Sequence, residues 1–148
     1  MTAYELAQRF VGMREIPGEK DNPFIQWSLT LCGFPSDVHD EIPNCSAFAN
    51  AIAWLLRLPR SKSAMARSWL QVGLPISLHL AAAGSDVVIL KRGKGEQPGP
   101  EVIAAPGHVG FFSALEGGDV LVLGGNQGDA VSIARFPVTS ILGIRRLV

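Results

Sequence analysis

A change of pattern near residue 86 constrains the fold more than any other feature of the chain. Before it, apolar residues recur at helical spacing. After it come "DVVILKR", "HVGFFSA", "DVLVLGG", "AVSIARF" and "ILGIRRL", strand-length segments bounded by Gly, Pro or Asp. Helices gathered ahead of strands predict an α+β fold rather than the alternation that builds a parallel sheet. No internal repeat interrupts the order.

The helical part reads from its ends. Thr2 and Glu5 have capping-box spacing, and Ala3, Leu6, Ala7, Phe10 and Val11 then line one face. Asn22 as cap, Pro23 at the first helical position and Gly33 beyond the end frame a second helix. Ser46 to Arg57 is apolar almost all round, which predicts a buried central helix. Ala64 to Val72 is expected to form a short fourth helix that stops at Gly73, with Trp54 and Trp69 packed in the core. Gly93 to Gly107, "GKGEQPGPEVIAAPG", reads as a long loop of the kind that often carries function.

Composition excludes several classes. The 148 residues suffice for one domain with its own core, expected to span 1–148. Apolar residues make up 47% and charged residues 18%, as in a globular chain. Net charge is zero, and no basic stripe invites nucleic acid or anionic lipid. The start "MTAYELAQRF" lacks the cationic and apolar regions of an export signal, and the run Ala51 to Leu56 is too short to cross a bilayer. Synthesis in the cytoplasm, no membrane partner and two free thiols are therefore expected. Two cysteines and three histidines, at no metal-ligand spacing, predict no metal site.

The stretch "DEIPNCSAF" carries the chemistry. If Asn44 caps the third helix, Cys45 is its first residue. A helix start favours anions, so a thiol there is expected to ionise below its ordinary range, and free N–H groups can hold an oxyanion. Partners come from the strand region. Glu116-Gly117-Gly118 reads as a three-residue hairpin loop, which pairs residues whose numbers add to 234. His108 and Asn126 satisfy that sum and would face each other on one side of the hairpin. An amide accepting from one ring nitrogen leaves the other as a base, the logic of a Cys-His-Asn hydrolase. Glu116 and Asp129 are alternatives for the third member under another register. Cys32, with no histidine motif beside it, reads as core.

Taken together, "DEIPNCSAF", "GHVGFF" and "VLGGNQGDAVSIARFP", with "EIPGEKDNP" and "SAMARSWL" around them, resemble the NlpC/CHAP clan of papain-like peptidoglycan hydrolases. Within it the similarity is to a group of phage- and bacterium-borne cell-wall hydrolases. The resemblance implies a half-barrel of antiparallel strands packed on a helix that carries the nucleophile. It implies amide cleavage in the peptide stem of peptidoglycan, by an endopeptidase or an N-acetylmuramoyl-L-alanine amidase, with no cofactor. Carried over by motif, Cys45 is the nucleophile, His108 the base and Asn126 the orienting residue. Asn44 departs from the aromatic residue that often precedes the cysteine, and it is expected to form one wall of the substrate groove. His39 and Glu41, on the loop before Cys45, are expected to touch substrate. The loop 93–107 is longer than usual for the group.

Two rival readings use the same residues: a wall-binding module that takes up muropeptides without turnover, and a thiol acyltransferase acting on another amide or ester. A hydrolase of this kind would act as a monomer at the wall or in the periplasm. It would arrive by phage-induced release, by injection or on a phage particle. An injected effector would have an immunity partner.

Overall fold

The computed structural model describes residues 1–14, 16, 22–38 and 44–148. Local capping chemistry starts the first two helices. In α1 (Ala3–Gln8) the Thr2 hydroxyl accepts from Glu5 N–H at 3.1 Å, and the Glu5 carboxylate accepts from Thr2 N–H at 2.8 Å. In α2 (Pro23–Thr30) the Asn22 Oδ1 accepts from Phe24 N–H at 2.9 Å. The longest helix is α3 (Cys45–Leu55), which begins one residue before the predicted Ser46 and ends two before Arg57. Arg57 breaks away with a φ of 56°. Residues Cys45 to Ala53 are all buried, but the helix emerges at its C-terminal end, where Trp54 is 49% exposed against the edge of Trp27. Trp69 is fully buried, as its spacing predicts. The predicted fourth helix is a 3-10 segment, Ala66–Gln71.

Six strands follow: β1 (Leu74–Pro75), β2 (Asp86–Lys91), β3 (Gly107–Glu116), β4 (Asp119–Gly124), β5 (Ser132–Pro137) and β6 (Ile141–Arg146). They form one open antiparallel sheet in the order β1-β6-β2-β3-β4-β5. With the helices ahead of it, the chain is α+β. Strand alternation gives the sheet two apolar faces. Val87, Ile89, Val109, Phe111 and Leu123 pack with α1, α3 and Trp69. Val88, Leu90, Phe112, Val120, Val122 and Ile144 form the opposite face, covered by Phe136, Ile141, Ile76 and Leu78. Each fully buried side chain of Ile or Phe size contributes about 1.5–3 kcal/mol relative to exposure.

Buried polar groups fix how these layers meet. Trp69 Nε1 donates to the Ser46 hydroxyl at 2.9 Å, tying the 3-10 segment to the first turn of α3. Asp86, 1% exposed, accepts from Arg146 at 2.7 and 2.8 Å and locks β2 to β6. Arg67 is fully buried and donates to four carbonyls of the 93–107 loop: Pro98, Gly99, Val102 and Pro106. That loop is therefore wrapped around a guanidinium.

The β3–β4 hairpin departs from its prediction in two places that cancel. Glu116 pairs with Asp119, so the loop is the two-residue Gly117-Gly118, with Gly117 at a φ of 61°. A bulge between Phe112 and Ala114 then takes back one residue. Phe111 pairs with Leu123, which restores the sum of 234 at the end where His108 lies. Among the described residues no helix is long and apolar enough to cross a membrane.

Candidate active site

Cys45 opens α3 and is 4% exposed. Backbone N–H groups of Val109, Ser46 and Cys45 itself favour the anion of its sulfur, and so does the positive charge of Arg92. Burial outweighs them and pushes the thiol above its ordinary value, so at neutral pH it is protonated at rest. This corrects the expectation of an ionised thiol. A helix end is worth at most about 2 kcal/mol, and the eight buried residues that follow Cys45 along α3 help remove the water that an anion would need. Asn44 holds the cap position without capping through its side chain. It is buried at the base of α3, where its Oδ1 lies against Gly125.

His108 lies near the start of β3, 5% exposed, on the sheet face opposite Val109. The sulfur packs with Val109 on the helix side of the sheet, the imidazole lies on the other side with Leu90 and Phe136, and no hydrogen bond joins the two side chains. The ring's outer nitrogen, Nε2, is 2.8 Å from Gln127 Oε1. Gln127 Nε2 donates to the carbonyls of Val122 at 3.1 Å and Ser132 at 2.7 Å. Both amide donors are therefore committed, and the oxygen must face the ring. His108 must then carry its proton on Nε2, which leaves Nδ1, the nitrogen nearer the backbone, as an acceptor. Burial holds the His108 pKa below its ordinary 6.5, Gln127 opposes that shift, and Arg92 adds to it. The resting pair is a neutral thiol and a neutral imidazole.

The hydrogen-bond partner of His108 is Gln127, not the predicted Asn126. The β3–β4 ladder ends at the Phe111–Leu123 pair, three residues short of the pairing that the sum of 234 extrapolates. Asn126 takes a φ of 58°, which turns the chain and brings the next side chain inward. A Cβ on Gly124 would sit 2.8 Å from Gln127 Oε1, and one on Gly125 would sit 2.9 Å from Phe48 Cβ. The two glycines thus make room for the carboxamide and dock its loop on the helix that carries Cys45. Neither alternative third member is at the ring. Glu116 pairs with Arg135 at the far end of β3, and Asp129 is exposed in the turn. The signal was present in "GGNQG": Asn is the residue that tolerates a left-handed turn, so the Gln after it is the one that points in.

A cleft of about 430 Å³ opens beside the ring, lined by Lys91, Arg92, His108, Asn126, Gln127 and Phe136 among others. The two cations were not singled out from sequence. Asn126 keeps a place in the cleft wall. His39 and Glu41 lie outside the described residues. Cys32 is free and half-buried near α2, and burial raises its thiol to about 11. Among the described residues no three His, Cys, Asp or Glu side chains converge as metal ligands. No protein-family model matches the chain, and no curated protein matches it in sequence.

Proposed function

We propose that this protein is a papain-like cysteine hydrolase that cleaves amide bonds in the peptide stem of peptidoglycan. The observation that carries the reading is the His108–Gln127 pair. It supports the imidazole tautomer whose free nitrogen is Nδ1, the base that the reaction needs. The motif resemblance to cell-wall hydrolases supplies the substrate class.

The chemistry follows from the neutral resting pair. Once the site opens and brings ring and sulfur together, His108 Nδ1 takes the thiol proton as Cys45 attacks the amide carbonyl, and the carbonyl oxygen becomes an oxyanion. Backbone N–H groups at the start of α3 stabilise it. The imidazolium gives its proton to the leaving amine and the C–N bond breaks, leaving a thioester on Cys45. Water then attacks the thioester with His108 as base. The acid product leaves, and the thiol regains its proton. Gln127 holds the ring through both halves.

The test is mass identification of fragments released from defined sacculi by the wild-type protein and by Cys45→Ala. New peptide termini from the wild type, absent with Cys45→Ala, support the reading; equal release by both refutes it. One observation favours the rival wall-binding module: at 4% exposure the sulfur needs a local opening before a carbonyl can reach it. A binder would retain sacculi and release no fragments.

A further inference from the structure

The cleft beside His108 has a charge that the reaction does not use. Lys91 ends β2, opposite Gly107, and Arg92 follows it. By strand alternation Arg92 continues the face of Leu90, whose register partner is His108, so the guanidinium lies on the imidazole's side of the sheet. Both cations line the cleft. Both are exposed, and neither joins an ion pair with any described residue. The rest of the lining is neutral: His108, Gln127 and Asn126 carry no charge at rest, Phe136 lies tilted against the ring at 5.4 Å, and no described carboxylate is part of the wall. Arg92 and His108 line the same cleft, which places the guanidinium on the side of the proposed base. Such a wall repels a cationic group and lacks an internal counter-ion. A planar guanidinium next to an ammonium matches a carboxylate in shape and charge.

We propose that the cleft is an anion subsite in which Arg92, helped by Lys91, binds a free carboxylate of the substrate next to the scissile amide. This rests on the hydrolase reading and narrows it. The preferred stem is one whose carboxylates are free rather than amidated. Arg92 and Lys91 are specificity-determining residues, separate from the Cys45–His108–Gln127 machinery.

The experiment uses a disaccharide-tetrapeptide muropeptide with both carboxylates free, and counterparts amidated at D-glutamate or at the C-terminus. Wild type should cut the free form about tenfold faster, in kcat/KM, than one of the amides. Arg92→Gln should erase that preference by slowing only the free form, and Lys91→Gln should reduce it. Equal rates for all three substrates with wild type would overturn the anion subsite while leaving the hydrolase reading intact. If no substrate is cut, the hydrolase reading fails, and calorimetric titration of the same muropeptides decides the subsite. Tighter binding of the free form that is lost in Arg92→Gln upholds it, and equal affinity or no binding overturns it.

Discussion

Replacing Gln127 with Ala separates the geometry argued here from the one suggested by strand pairing. Gln127 is 9% exposed, and its side chain makes hydrogen bonds at 2.8, 3.1 and 2.7 Å to His108 and the carbonyls of Val122 and Ser132. Each group left without a partner costs about 1–3 kcal/mol when buried, and the cleft lets water reach some of them. The loss should total about 2–4 kcal/mol, within the stability of an ordinary domain. The larger effect is on tautomer and orientation. A net hydrogen bond of about 1–1.5 kcal/mol sets roughly a tenfold bias towards the ring with its proton on Nε2, and a looser ring loses more. Fragment release from sacculi should fall about 10- to 100-fold. Nitrogen NMR of His108 should show the Nε2–H tautomer in wild type and a mixture in the variant. Asn126→Gly is the control: its φ of 58° suits glycine, so activity should stay within about threefold. A Gln127→Ala protein of near wild-type activity beside an inactive Asn126→Gly would refute the assignment.

Three further outcomes follow from the same structure. Burial holds His108 below 6.5 and Cys45 above 9.0. Below pH 6.5 the unfolded chain takes a proton at His108 that the folded chain refuses, so stability falls with falling pH; above pH 9 the unfolded thiol ionises first, so stability falls with rising pH. Denaturant titrations from about pH 5 to 10 should show the plateau between these limits, and Cys45→Ala should lessen the alkaline decline, with Cys32 supplying part of what remains. Gly124→Ala places a Cβ 2.8 Å from Gln127 Oε1, so it should cost about 1–3 kcal/mol in chemical denaturation and lower fragment release together. Arg67→Met removes donors from four loop carbonyls and should cost about 2–4 kcal/mol, with limited proteolysis appearing between residues 93 and 106.

Legibility in the sequence followed the range of the interactions. Thr2 and Asn22 were readable as caps because their partners lie two or three residues away. The α+β class was readable because periodicity changes once, near residue 86. The His108 partner was missed by one residue because a ladder rule was carried past Leu123, where the β3–β4 ladder ends. The register at Phe111 was right through two compensating departures, a shorter turn and a bulge, neither marked by local composition alone. The thiol's protonation was misjudged because helix-end electrostatics is local and burial is not: the packing around Cys45 comes from Val109, Phe48 and the far strands. Lys91 and Arg92 became visible as cleft residues only once β2 was registered against β3.

The proposed hydrolase requires Cys45 and His108 to act as one chemical unit. The most direct measurement is the rate of Cys45 alkylation by iodoacetamide against pH, followed by peptide mass spectrometry so that Cys32 is scored separately. The wild-type rate should rise through an inflection set by His108, well below the thiol's own ionisation, and His108→Ala should slow it more than tenfold near neutral pH. An alkylation profile unchanged by His108→Ala, following a solitary buried thiol at high pH, would contradict the account.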